Sequence, residues 1–340
     1  MKNSLFISKI LFFVLIMLFP NFAQNKAGTT VGQFLKIEPS ARAISMGNAG
    51  VSLSGEATLS FFNPAGLGRL SGSQVQFTHN QWIADITYNY AIAAINFTEL
   101  GTFSIMMTNL SSGEIAVRTV EQPLGTGEQY SVTNFAFGLG YGLMLTDRVS
   151  VGMQITYMNE SIWHSSLNAF GVNFGVQYRL TESGVMIGAS VSNFGTKGKY
   201  DGRDLYLNHD LDPKKYGDND QLPAEFRVDE FSLPVIFRAG ISYPYVFSND
   251  FKFLLSIDAL HPNDNSESIN VGGELNLVKN FFLRAGYRNL FLANSEGGAV
   301  FGGGFNYEFN SSMSIKFDYA YADYGRLAQA HRLTLGINFY

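Results

Sequence analysis

Between Phe170 and Leu180 the side chains alternate without a break. Phe170, Val172, Phe174, Val176, Tyr178 and Leu180 fall on one side of an extended chain, and Gly171, Asn173, Gly175, Gln177 and Arg179 on the other. A period of two belongs to a β-strand, whose successive side chains point to opposite faces. The rhythm recurs at Val149–Met158, Ile315–Ala322 and Arg332–Phe339. Such segments approach the length, about 9–11 residues, that crosses a bilayer as a tilted strand. A soluble sandwich would also alternate, but two features select a membrane barrel. Tyr and Phe recur near strand ends, where an aromatic girdle sits, and the second face carries Gly, Ser, Asn and occasional charges. That face suits a polar lumen better than a dry core.

Composition agrees. Charged residues make up 15% of the 340, against about 25% in ordinary soluble domains. Aromatics reach 14%, with 30 Phe and 17 Tyr. Mean hydropathy is an unremarkable +0.03, as expected where apolar and polar residues alternate. A net charge of −5 speaks against nucleic acid as a partner, since phosphate binding wants a basic face. The absence of cysteine excludes disulfide staples and thiolate metal sites.

The N-terminus reads as an export signal, residues 1–24. Lys2 and Lys9 flank a short basic region, Ile10–Phe19 is an unbroken apolar run, and Ala23 is a small residue at a cleavage position. Ten apolar residues fall well short of the roughly 20 that span a membrane as a helix, and no longer run follows. An inner-membrane helical protein is thereby excluded. The exported chain is expected to cross the outer membrane with strands, the other structure that satisfies its backbone in lipid.

Connection lengths alternate too. Short turns fall at residues 98–101, 145–148, 181–184, 278–280 and 310–312. Longer polar connections fall at 121–129, 160–168, 194–230, 261–267, 292–298 and 325–328. Barrels of this kind have short periplasmic turns and long outer loops. Counting up and down gives an all-β, antiparallel transmembrane barrel of fourteen strands over residues 74–340, with a long outer loop at 195–230 and a plug segment at 25–73 that lacks lipid-facing alternation. One decision is forced. Asn109–Gly113 resembles a hairpin turn, but a turn there gives an odd number of strands. Residues 101–120 are therefore read as one strand with a kink at Ser111, Ser112 and Gly113. The last four residues, Ile337-Asn338-Phe339-Tyr340, resemble an outer-membrane assembly signal.

Motifs for chemistry are lacking. The five histidines show no metal-binding spacing, and no nucleophile elbow occurs. No cofactor, metal site or catalytic residue is expected. Gly302-Gly303-Gly304 lacks the lysine of a phosphate loop and reads instead as a bend or a close approach to the plug. The acids of residues 196–230 are interleaved with basic residues, as in a solvated loop. Arg179, Arg238, Arg284, Glu308, Lys316 and Asp318 lie on the polar faces of strands. They are candidates for pairing across the lumen and holding the plug.

Residues 41–67 carry Ala41-Arg42-Ala43, Met46-Gly47-Asn48-Ala49 and Asn63-Pro64-Ala65-Gly66-Leu67. In that order they resemble the N-terminal signature of PorV/PorQ-type outer-membrane proteins, a branch of the FadL-like barrels. Trp82–Asp85, Gly125–Glu128, Leu145–Arg148 and Ser192–Gly195 extend the likeness over most of the mature chain. The resemblance implies a fourteen-strand barrel whose N-terminal segment plugs the lumen, and a third strand that FadL-like transporters interrupt to open the wall sideways. It also implies two functions. One is an accessory role in type IX protein secretion, binding a large outer-membrane translocon barrel and cargo with sorting domains. The other is a lateral channel for hydrophobic small molecules. A partner-binding barrel should present an apolar outer edge such as Phe226–Pro234, whereas a channel needs a continuous apolar tunnel.

Overall fold

The computed structural model describes residues 27–212, 214, 221–248, 250–278, 280–293 and 295–340; the expected export signal lies outside them. Fourteen antiparallel strands form the wall: β1 (Ser73–Gln81), β2 (Thr87–Asn96), β3 (Thr102–Ser111), β4 (Val132–Met144), β5 (Val149–Ile162), β6 (Ser165–Arg179), β7 (Met186–Gly195), β8 (Ile236–Val246), β9 (Phe251–Pro262), β10 (Ser268–Leu277), β11 (Phe281–Leu290), β12 (Ala299–Asn310), β13 (Met313–Asp323) and β14 (Gln329–Phe339). Each pairs with its sequence neighbours, and β1 pairs with β14 from Ser73↔Phe339 to Gln81↔His331, so the sheet closes. Closure leaves no sheet edge to be satisfied by lipid.

The wall is polar within and apolar without. On β1, Val75 and Phe77 are exposed while Gln74, Gln76, Thr78 and Asn80 are buried. Phe103, Ile105 and Met107 of β3 and Phe170, Phe174 and Val176 of β6 are exposed in the same manner. This is the alternation of a wall whose solvent is lipid outside and protein inside.

Residues 27–72 fill the interior. They run from one mouth to the other through short turns of 3-10 helix and one α-helical turn, α1 (Ala41–Ser45), capped by the Ser40 hydroxyl on the Ala43 amide at 3.2 Å. Thr30 bridges to Ser232 in the long β7–β8 connection, and Lys36 reaches Asp264 in the β9–β10 connection. At the other end Arg69 donates to the Arg148 carbonyl in the short β4–β5 turn. By the short-turn rule the plug therefore begins at the extracellular mouth and ends at the periplasmic one.

Three expectations are corrected. First, β3 ends at Ser111 rather than running to residue 120, and its ladders with β2 and β4 are unbroken from Thr102 to Ser111. Beyond Ser112 the pairing with the β4 side slips by one residue, to Ile115↔Tyr130 and Ala116↔Gln129. Gly113 takes a φ of 71° at this slip. The chain thus bends off the wall as a two-stranded arm, at the rim and not midway down. Second, residues 160–168 are not a long loop. β5 and β6 continue to Ile162 and Ser165, joined by the two residues Trp163-His164, with Trp163 at a φ of 51°. Third, the lumen is not polar throughout. Along β2–β6, Tyr88, Tyr90, Ile92, Met106, Leu110, Met158 and Leu167 pack on Phe34 and Leu67 of the plug as a dry core.

Candidate functional site at the plug and the wall

The plug meets the wall without intervening space on several sides. Glycines of the inner face make this possible. A methyl group on Gly152 would overlap the Pro64 carbonyl, one on Gly272 the Met46 carbonyl, and one on Gly286 the Gly47 amide. Met46 is fully buried, and Gly47 has a φ of 68° with Val271 and Tyr287 backbone standing where a β-carbon would go. No other residue has both the conformation and the size for that place.

The Asn63-Pro64-Ala65-Gly66-Leu67 motif is a latch. Asn63 caps a 3-10 turn over Pro64–Arg69, its Oδ1 accepting from the Ala65 amide at 3.0 Å. Its Nδ2 donates to the Val51 carbonyl within the plug at 2.9 Å and to the Val176 carbonyl of β6 at 3.0 Å. Gly175 leaves room for this side chain. Leu67 packs in the apolar side of the lumen, and Gly66 and Ala65 are buried beside it. One asparagine thus ties turn, plug and wall together.

On the opposite side lies a ring of six charges. Arg42 of α1 grips Glu274 of β10 with two hydrogen bonds, 2.8 Å from Nε and 2.7 Å from Nη2, and reaches Glu56 at 3.0 Å. Arg284 of β11 donates to Glu274 at 2.6 Å and to Asp318 of β13 at 2.6 Å. Lys316 stands 3.8 Å from Asp318 and closes the ring by pairing with Glu56. Three cations face three anions, two of the six from the plug and four from the wall. All six are largely screened from solvent. Buried charges are tolerated when paired and hydrogen-bonded in this way. The glycine run now has a reason: Gly302 admits Ser45 of α1, and Gly304 leaves the gap through which Arg284 reaches Asp318 across β12.

Arg284, Lys316 and Asp318 thus share one site, and the other three residues expected to line the lumen do not join them. Arg238 is buried, donates to Ser192 at 3.0 Å and stands over the rings of Phe61 and Phe62. Arg179 bonds the Asp147 carbonyl at the periplasmic rim, and Glu308 is exposed near that rim. Glu56 and Glu274 escaped the sequence reading, and Arg42 entered it only as part of the Ala41-Arg42-Ala43 motif. For Glu274 a signal existed, because it pairs directly with Arg284 across the β10–β11 hairpin.

At the extracellular mouth Asp264 accepts from Thr30 at 2.8 Å, Gln33 at 2.7 Å and Lys36 at 3.0 Å. Burial alone would raise its pKa, but these hydrogen bonds and the Lys36 charge hold it below the usual carboxylate range. Thr30, Gln33 and Lys36 belong to the plug, so this carboxylate fastens the plug's upper end.

A closed fourteen-strand antiparallel wall, apolar outside and filled by its own N-terminal segment, is the fold of an outer-membrane β-barrel. Within it, the chain belongs to the PorV family: the model described as "Type IX secretion system protein PorV" matches residues 21–211. No curated protein matches the chain. Solved structures share the fold at low identity. The toluene transporter TodX of Pseudomonas putida has 14% identity and a TM-score of 0.56, covering 88% of this chain and 97% of its own. The CymD monoaromatic hydrocarbon channel has 14% identity and a TM-score of 0.53, covering 89% and 97%. The toluene transporter TbuX of Ralstonia pickettii has 11% identity and a TM-score of 0.53, covering 90% and 100%.

Proposed function

We propose that this barrel is an accessory component of type IX secretion that binds the outer-membrane translocon, secreted cargo with sorting domains, or both, and does no chemistry of its own. The observation that carries this reading is the seated plug. Inner-face glycines are consumed by plug backbone, the Asn63 latch joins plug to wall, and six charges lock the far side. Opening a passage past the ring would part Arg42 from Glu274 and Glu56 from Lys316. A barrel so filled serves better as a docking body than as a conduit.

Its outer end supports the same reading. The arm beyond Ser112 carries Val120 and Leu124 fully exposed, and Phe226 is exposed on the long β7–β8 connection. Of the apolar edge expected at Phe226–Pro234, Leu233 is instead buried against the plug. The edge is thereby ordered from within while its outer residues stay free for a partner. Deleting the gene should leave sorting-domain proteins retained in the periplasm, measured by fractionation and immunoblotting. Unchanged export would overturn the proposal and favour the hydrophobic-channel function of the structural neighbours.

A further inference from the structure

Two guanidinium groups are buried at the extracellular end of the lumen, and among the described residues no carboxylate lies within ion-pair distance of either. Arg332 of β14 is fully buried and Arg288 of β11 is 6% exposed. Both converge on one hydroxyl, that of Tyr324: Arg288 donates to it at 2.8 Å and Arg332 at 3.5 Å. The rest of their surroundings is aromatic. Arg288 lies 4.0 Å over the Tyr324 ring, and Arg332 lies 4.8 Å over Trp82. Arg288 Nε and Arg332 Nε and Nη1 have no hydrogen-bond partner, and neither arginine forms an ion pair among the described residues. Asn80, the cross-strand neighbour of Arg332, is likewise buried with both polar atoms of its side chain unmet.

Native interiors do not leave such groups unanswered. A buried charge is paired or bound, and an orphaned buried donor costs about 1–3 kcal/mol or more. Ring faces offset part of this, because cations are drawn to them, but they accept no hydrogen bond in the guanidinium plane. An answer can enter from outside. A cavity of about 240 Å³ lies beside Arg288, between the plug and the wall, lined among others by Lys36, Glu38, Trp82, Asn289 and Tyr324. That space takes a compact headgroup or a small anion. Its charges decide the ligand. Among the residues that line it, Arg288 and Lys36 stand against Glu38; just outside, Arg332 behind Trp82 offsets Asp264, the partner of Lys36. One positive charge is left over.

We propose that this cavity is a binding site for a compact, singly charged oxyanion, a carboxylate or a phosphodiester, held by the Arg288 guanidinium beside Trp82 and Tyr324, with Arg332 adding its charge from behind the Trp82 ring. Planar guanidinium donors match such oxygens in pairs. The site is separate from the six-charge ring, each of whose cations forms an ion pair.

Trp82 supplies the readout, because it lines the cavity and carries the Arg332 stack. The chain has two tryptophans, so Trp163→Phe leaves Trp82 as the sole indole. The full-length barrel in detergent is titrated with acetate and with dimethyl phosphate, against chloride at constant ionic strength. The expected result is a saturable change in Trp82 emission with either oxyanion and none with chloride. Arg288→Gln should weaken the midpoint roughly 10- to 100-fold, the share of one charged hydrogen-bonding partner. Resistance to unfolding in cold detergent gels verifies that the variant is folded. If it is not, Arg288→Lys keeps the charge, loses the fork, and should weaken the midpoint less. In nanodiscs, displacement of acetate by phosphatidylglycerol identifies a lipid headgroup as the source, and indifference to lipid identifies a free anion. The absence of a saturable change, an equal response to chloride, or an unaltered midpoint in folded arginine variants would each overturn the site.

Discussion

Replacing Glu274 by Gln should loosen the plug without opening the wall. The carboxylate takes three hydrogen bonds of 2.8, 2.7 and 2.6 Å from two guanidinium groups. Gln has nearly the same shape but one acceptor oxygen, and its amide hydrogens would face N–H donors. The ring would pass from neutral to one positive charge in a site where the Arg284 side chain has no exposure. Removing one partner of a buried pair costs about 3–5 kcal/mol. At 1.4 kcal/mol per tenfold, plug opening should rise by roughly two to three and a half orders of magnitude. The natural chain has no cysteine, so Ser45→Cys, a near-isosteric change at a buried plug position, reports opening as maleimide labelling in detergent or bilayer. Labelling should accelerate strongly in Glu274→Gln. In Arg42→Met/Glu274→Met, which removes one charge of each sign, most of the acceleration should be lost, because apolar replacement of a whole pair is nearly neutral. Equal labelling rates in Glu274→Gln and its parent would refute the claim that the ring holds the plug.

Three further outcomes follow from the same geometry. Gly152→Val places a side chain where the Pro64 carbonyl sits; overpacking of this kind costs about 1–3 kcal/mol, and the plug should become protease-sensitive while the wall keeps its heat-resistant gel migration. Asp264 has a lowered pKa in the folded protein. Its contribution is therefore present above the unfolded value, about 3.9, and lost as pH falls through the lower folded value. Thermal unfolding should accordingly show Asp264→Asn less stable than the parent at pH 7, with the difference closing below about pH 4. Gly28 is exposed where the plug begins at the outer mouth, so Gly28→Cys should react with a membrane-impermeant maleimide in intact cells, and labelling only after outer-membrane permeabilisation would reverse the assigned orientation.

Most of the wall was legible because alternation and turn length are local properties. Strand number, order and most ends follow from them. The end of β3 was not, since residues 112–117 keep a strand-like sequence and still pair with the β4 side after a one-residue slip. The apolar half of the lumen was hidden for a similar reason. Tyr88, Tyr90, Ile92 and Ala94 face inward while Ala91, Ala93 and Ile95 face lipid, so β2 has no polar face to betray its orientation. The ring is a different case. Arg284 and Glu274 are neighbours by hairpin register, and this was readable. Arg42 meets Glu274 only when a segment 232 residues away is threaded into a closed barrel, and no local pattern encodes that. The Asn63 motif was visible as a resemblance, yet its work as cap and latch depends on a carbonyl of β6.

On the proposed function, this barrel works by holding partners and not by conducting solutes. The most direct test of that is capture of the tagged full-length barrel from its native outer membrane in gentle detergent, with mass spectrometry of everything retained. The expected result is recovery of a very large outer-membrane barrel, of proteins bearing sorting domains, or of both. A clean barrel carrying only lipid or a hydrophobic small molecule would contradict it.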